Sequence, residues 1–213
     1  SSDLMYMDYK IPFWMNTGAE TITVHRAAGL EEMNMLRMNI GIEHGNYEYR
    51  KNYLKRNVNN EIQIKAFEML ADKKYTCVAN SIIGMPDETR ELIFDTIDLN
   101  RSIKSATINA YLYNPYPGTA LYEVCKKKGY LPKGDEKTVD ISLSTEGYAY
   151  FKTVLNMPTI SKQELMGLQK TFVLYAKLPK YEFPRIKVAE KNNEEGREMF
   201  RELSDEYSDL LAG

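Results

Sequence analysis

The chain has 213 residues, 43% of them hydrophobic and 27% charged, which is enough apolar material for one globular core. Its 28 basic and 30 acidic residues leave a formal net charge of −2, so no basic field argues for nucleic acid. No apolar run approaches the ~20 residues of a membrane helix, and the opening SSDLMY lacks the basic-then-apolar order of a signal peptide, so no membrane association and a cytoplasmic protein are expected.

Four short runs rich in β-branched and apolar residues read as strands, at about 11–16, 36–43, 75–83 and 107–113. Pro12 places the start of the first near an edge. Each run is followed by Gly, Pro or Asn and then by helical periodicity. Ile62, Ala66, Phe67, Met69 and Leu70 make one apolar helix face, with Asn59 or Asn60 as its cap. A second helix is expected over 88–103 and a third over 119–128, stopped by Gly129. Strand–helix alternation at this spacing predicts parallel strands and an α/β architecture.

From Pro132 the pattern changes. Residues 133–160 carry no clear period. Ser161 to Glu164 form a capping box that opens a helix ending before Pro179, and 189–211 read as one charged helix with Phe200, Leu203, Tyr207 and Leu210 in a stripe. The expected division is a barrel segment over 1–131 and a helical extension packed on it over 132–213.

In parallel α/β folds, ligands are met at the carboxyl ends of strands. The four strand ends here are rich in polar and turn-forming residues: Asn16, Thr17 and Glu20; GIEHGN at 41–46; GMPDET at 84–89; NPYPGT at 114–119. Glu43 is placed to accept hydrogen bonds from an amine or a ribose hydroxyl, or else to cap the helix starting near Asn46. Gly84 allows a backbone to approach a flat ligand, and equally serves a tight strand-to-helix turn. Tyr111, Tyr113 and Tyr116 either line a site for a planar group or pack a core. Arg56 suits bidentate pairing with a carboxylate, though by periodicity it is one base in a charged loop. His44 reads as a structural residue beside a turn, and His25 as part of a helix. Cys77 and Cys125 lie far apart in sequence and read as buried, reduced thiols. No metal-ligand spacing, nucleophile elbow, P-loop or G-x-G-x-x-G occurs, so the residues alone name neither a catalytic group nor a metal site.

Three segments in order carry a resemblance. They are NIGIEHGN at 39–46 with Arg50 and LKRN at 54–57, then NSIIGMPDET at 80–89 with FDTI at 94–97, then NPYPGTALY at 114–122. Together they resemble the radical S-adenosylmethionine superfamily. They resemble in particular the class that often carries a cobalamin-binding domain and includes anaerobic Mg-protoporphyrin ester cyclase relatives. The likeness runs over about residues 10–130, and the tail at 161–179 is similar to that class's helical extension. It implies a partial TIM-type (β/α) barrel, of which this chain holds about the last four of six parallel strands. It implies S-adenosylmethionine, a 4Fe–4S cluster and, in this class, cobalamin, with cleavage to a 5′-deoxyadenosyl radical used for methylation or cyclisation of a small-molecule substrate. Glu43 is similar to a residue that reaches the cofactor's ribose or methionine part, and Arg56 to an arginine that pairs with the methionine carboxylate. Ile82 and Gly84 are similar to an adenine-packing motif, and Tyr113 and Asn114 stand where backbone meets adenine.

The departures are as informative. The C-x-x-x-C-x-x-C that holds the cluster, the first two strands and the glycine-rich amine-binding segment are absent. Asn80 stands where glycine is common, and the acidic position is displaced to Asp87 or Glu88. The expectation is a fragment, inactive alone, that works with a cluster-bearing N-terminal part and a reductant protein. The competing readings are a cluster-less nucleoside-binding or interaction module, and an unrelated barrel enzyme acting on a phosphorylated or acidic substrate.

Overall fold

The computed structural model describes residues 11–132 and 153–212. Strands β1 (Phe13–Gly18), β2 (Met35–Glu43), β3 (Thr76–Ile83) and β4 (Thr107–Leu112) form one parallel sheet in the order β1-β2-β3-β4. The α/β class with four parallel strands is therefore as expected from the sequence. Helices α1 (Val24–Glu32), α2 (Tyr47–Tyr53), α3 (Asn60–Leu70), α4 (Arg90–Ser102) and α5 (Ala120–Lys127) alternate with the strands. Helices α6 (Lys162–Lys177), α7 (Phe183–Ala189) and α8 (Glu194–Ala212) follow. The chain divides into two compact units, one of residues 1–81 with 98–109, the other of 82–97 with 110–213.

In the first unit β2 alternates from Arg37 onward. Met38, Ile40 and Ile42 are buried, while Arg37, Asn39, Gly41 and Glu43 share the opposite face. The register pairs Trp14 with Arg37, Asn16 with Asn39 and Gly18 with Gly41, and a bulge interrupts the β2–β3 ladder between Gly41 and Glu43. Ala66, Phe67 and Leu70 of α3 are fully or nearly fully buried, as their spacing predicts. Asn59, rather than Asn60, caps α3, its side chain accepting from Ile62 N–H at 2.9 Å. Inside the same unit Asn100 Nδ2 donates to Ser81 Oγ at 2.9 Å and Ser105 Oγ to the Cys77 carbonyl at 3.1 Å.

In the second unit the core is built from Ile83, Met85, Ile93, Ile97, Leu168, Phe172, Ile186 and Leu203. Ser161 caps α6 by accepting from Glu164 N–H at 3.1 Å. α5 ends in a Schellman turn: Gly129, at φ +69°, donates to the Lys126 carbonyl and Tyr130 to that of Cys125. The single helix expected over 189–211 is present but starts five residues later, at Glu194, with Ala189 closing the preceding α7. Asn193 Oδ1 accepts from Gly196 N–H at 2.9 Å, starting α8 afresh, and α7 precedes the break. Phe94, Tyr175 and Phe183 meet edge to face, with centroids 4.9–6.1 Å apart. Beside them Arg90 pairs with Glu190 at 2.5 Å and Glu164 at 3.1 Å, and Tyr175 donates to Glu190 at 2.6 Å. Glu190 is only 10% exposed, so its charge depends on this arginine.

Arg90→Met leaves that carboxylate buried without its countercharge, and the expected loss in urea unfolding is about 3 kcal/mol. The exposed pair Lys191–Glu195 is the control, with about 0.5 kcal/mol or less expected for Lys191→Ala.

Candidate functional site

At the carboxyl ends of β1 and β2, three charged side chains meet over a stretch of sheet that has no side chains of its own. Arg56 Nη1 donates to Glu43 Oε1 at 2.9 Å, and Nη2 to Glu20 Oε2 at 3.2 Å. Gly18 and Gly41, register partners, lie beneath them. A Cβ on Gly18 would stand 2.6 Å from Arg56 Nη2 and 2.5 Å from Glu20 Oε2, and one on Gly41 would stand 3.2 Å from Arg56 Nη1 and run into the Glu43 carboxylate. The paired glycines are thus the floor of a trough. The 3-10 turn Ala19–Thr21 brings Glu20 over it directly after β1.

Arg56 is held in place by a buried cation. Arg50, 0% exposed, donates through Nη1 to the His44 carbonyl, through Nη2 to the Val58 carbonyl and to Asn60 Oδ1 at 2.8 Å, and through Nε to the Val58 carbonyl at 3.1 Å. Asn60 Nδ2 in turn donates to the Gly45 carbonyl at 2.9 Å. Burial lowers the Arg50 pKa to about 10, with the Arg56 charge acting in the same direction. The backbone then turns back on itself: Lys55 has φ +54° and Arg56 N–H donates to the Arg50 carbonyl at 3.3 Å. Asn46, not Glu43, caps α2, accepting from Tyr49 N–H at 2.9 Å. Glu43 is therefore released to the trough. It sits at φ +63°, next to the bulge. His44 is fully buried and stacked on Tyr49 at 4.3 Å between centroids, its Nδ1 accepting from Asn46 N–H at 3.0 Å. His25 lies on α1, on the rim of a 530 Å³ cavity lined mainly by Met15, Met33, Met38, Ile22 and Leu30.

The pKa values of the two carboxyls are shifted in opposite directions. Burial pushes Glu43 above the usual carboxylate range although Arg56 pulls it down. For Glu20 burial also works upward, but its own backbone N–H and Arg56 outweigh it, and its pKa falls below the usual value.

In the second unit, β3 ends at Ile83 and Gly84 turns the chain at φ +79°. The buried Glu88 carboxylate accepts from both Gly84 and Met85 N–H, the latter at 3.0 Å, which gives the displaced acidic residue a local role. A Cβ on Gly84 would stand 2.6 Å from Leu165 Cδ2, so the space that this glycine leaves is filled by α6. Thr89 caps α4 by accepting from Leu92 N–H at 3.3 Å, and Asp87 accepts from Tyr130 Oη and Lys128 Nζ, both at 2.5 Å. Ile82 is half-buried, with the fully buried Ile83 beside it. Tyr113 N–H donates to the Ile83 carbonyl at 2.8 Å. Tyr113 and Asn114 follow β4 and are half-buried.

Glu43 and Arg56 are thus brought together, with Glu20, a strand-end residue to which the sequence assigns no role, as their partner. Glu20 stands 36 residues from Arg56, and nothing local announces their pairing. The cysteines do not make a cluster site. Cys77 and Cys125 are both buried, and burial raises each thiol to about 11. Among the described residues no group of three or more His, Cys, Asp or Glu side chains is arranged to hold a metal, and no helix is long and apolar enough to cross a membrane.

The trough makes a titration prediction. Carboxyl NMR should place Glu43 above and Glu20 below the usual glutamate value, and Arg56→Ala should move both upward. Glu20 adds stability above the ordinary glutamate pKa that is lost as pH falls through its lowered folded value. Glu43 acts oppositely, with stability falling as pH rises from the ordinary value to its raised one. Glu20→Gln should therefore flatten the acid limb of the stability profile, whereas Glu43→Gln should remove the opposing slope.

Residues 4–99 match the family model described as Radical SAM superfamily. No curated protein sequence matches the chain. Among solved structures, the chain is similar to the radical S-adenosylmethionine methyltransferase TsrM from Kitasatospora setae, with cobalamin and a 4Fe–4S cluster bound, at 14% identity and TM-score 0.51, covering 60% of this chain and 24% of that one. It is also similar to the archaeal Elp3 of Methanocaldococcus infernus, at 21% identity and TM-score 0.49, covering 57% and 29%. Coproporphyrinogen III oxidase (HemN) of Escherichia coli, described as a radical SAM enzyme, matches at 14% identity and TM-score 0.47, covering 74% and 38%. The chain spans 24%, 29% and 38% of the length of these three structures. Over 60% of its length it shares the fold of a part of TsrM, and its residues 4–99 match the Radical SAM superfamily model.

Proposed function

We propose that this chain supplies part of the S-adenosylmethionine-binding barrel of a radical SAM enzyme, about the last four of its six strands. The observation that carries the reading is the Glu20–Arg56–Glu43 trio over the Gly18–Gly41 rung. The amino-acid end of S-adenosylmethionine carries a carboxylate and an ammonium. A guanidinium between two carboxylates, on bare backbone, presents the complementary charges. Arg56 would take the carboxylate, and Glu43 the ammonium or a ribose hydroxyl. In the second unit, taken by itself, the resemblance makes Ile82, Tyr113 and Asn114 the proposed adenine-contacting positions, with Gly84 limited to a backbone contact because Leu165 fills its open side. S-adenosylmethionine held there would supply hydrogen-abstracting carbon-radical chemistry once an electron from a 4Fe–4S cluster cleaved its C–S bond and released methionine.

The cluster itself does not fit these residues, because the only two cysteines are separate, buried and held as thiols. We therefore place its ligands in a cluster-bearing N-terminal part outside these 213 residues, with a reductant protein as electron source. Among the described residues β1 is one edge of the sheet, which supports the addition of a further strand there. The chain alone is then inactive. The small-molecule substrate, methylation or cyclisation as the reaction, cobalamin, the cyclase-like subclass, a helical extension over 132–213 and a cytoplasmic setting belong to the same proposal. The lack of cluster ligands also favours a second reading, a nucleoside-binding module without catalysis.

Equilibrium dialysis against S-adenosylmethionine tests the proposal. Binding should be measurable on the wild-type chain and should weaken about 10- to 100-fold in Arg56→Ala, the worth of one charged hydrogen-bonding partner. Binding unaffected by that substitution would remove the trio from the site. Cluster reconstitution separates the two readings: joining a three-cysteine segment should give a cofactor-cleaving protein if the chain is part of the enzyme, and an inert one if it is a module.

A further inference from the structure

One face of a parallel sheet is normally as apolar as the other, because both are covered. The face of β1 and β2 that carries the glycine rung is not. Moving from that rung toward the amino ends, the next pair is Asn16 and Asn39, and the next is Trp14 and Arg37. Asn39 Nδ2 donates to Asn16 Oδ1 at 2.9 Å, and Arg37 Nε to Asn39 Oδ1 at 3.1 Å. On β3 the partner of Asn39 is the apolar Val78, and the next asparagine pair lies one rung nearer the carboxyl ends, level with Gly41, where Asn109 Nδ2 donates to Asn80 Oδ1 at 3.0 Å. Each of the four strands thus contributes one asparagine.

Mutual satisfaction does not use up these groups. An asparagine has two donors and an acceptor oxygen with two lone pairs, and an arginine has five donors. Among the described residues, Arg37 Nη1 and Nη2 have no hydrogen-bonded partner and the guanidinium pairs with no carboxylate, while Asn16 Nδ2 donates to nothing. Arg37 is half-buried, and its Cζ lies 5.7 Å from the centroid of the Trp14 ring. Its Nε is committed to Asn39, so the outer edge of the fork is what remains, the edge that takes a carboxylate through two parallel bonds. Trp14 is 66% exposed, a large apolar surface left beside a cation.

We propose that this face is a binding surface for a small polar carboxylate, with the carboxylate on the Arg37 fork, an amide or hydroxyl group on Asn16, and the body of the molecule against Trp14. As the substrate side of the enzyme proposed above, this inference rests on that reading. As an anion-binding face it stands on the residues alone.

Trp14 is the only tryptophan in the chain, so its fluorescence and its indole N–H resonance report on this face and no other. The probes are N-acetylglycine and N-acetylglycinamide, which differ in a carboxylate against a carboxamide. The expected result is a saturable change in both signals with N-acetylglycine, at least about tenfold tighter than with the amide. Arg37→Gln should abolish the preference. Asn16→Asp, which keeps the size of the side chain and adds a negative charge, should weaken the acid more than the amide. Equal response to both probes, no response to either, or a preference that survives Arg37→Gln would overturn the proposal. Dialysis of the wild-type chain against S-adenosylmethionine keeps the two ideas apart. Cofactor binding without N-acetylglycine binding defeats this inference alone, and the reverse defeats the cofactor reading while leaving the anion face.

Discussion

Arg56 reaches Glu20 and Glu43 only because Gly18 and Gly41, partners across β1 and β2, leave the sheet bare beneath its guanidinium. A methyl group at either position would displace the ion trio. The arginine's own approach is set by Arg50, whose buried charge is spent on three acceptors: the His44 carbonyl, the Val58 carbonyl and the Asn60 side chain. One cation is thus consumed in building the loop so that the next can be aimed at the strand ends. A fully buried arginine close to a half-buried one would be costly without such acceptors.

That division of labour explains why the two carboxylates behave differently. Glu43 stands at a left-handed position beside a bulge, where burial dominates. Glu20 is 44% exposed on a turn, where burial is outweighed by the hydrogen bonds to its own backbone and to Arg56 and by the Arg56 charge taken together. A pair of carboxylates with pKa values pushed apart, sharing one arginine, is an environment able to hold an amino acid's opposite charges. The same sheet face changes character along the strands, from the charged trough through the asparagine row to Trp14 and Arg37. In a parallel sheet that polar face has no packing purpose, which is why it is read as a binding surface.

Much of this was legible in the sequence. The strands were read within about two residues because apolar alternation and the following Gly, Pro and Asn residues mark them locally. Glu43 stands out through its position after a strand, whereas Arg56 reads as one base in a charged loop until the resemblance gives it a purpose. What was not legible depends on register or on distance. The Gly18–Gly41 pairing needs the β1–β2 alignment. Glu20 meets Arg56 only in three dimensions. Gly84 was read as bare backbone for a ligand or as a tight turn, and its open side holds Leu165 from a helix far along the chain. The break before α8 turns on a single side-chain bond from Asn193, which periodicity over 189–211 cannot register.

The most direct measurement follows the Arg56 guanidinium by nitrogen-15 NMR while S-adenosylmethionine is added. The account predicts that the Arg56 signal shifts and saturates together with cofactor binding, while the signals of Arg90 and Arg185, held in ion pairs within the second unit, stay where they are. Cofactor binding that leaves the Arg56 signal unmoved, or no binding at all, would contradict it.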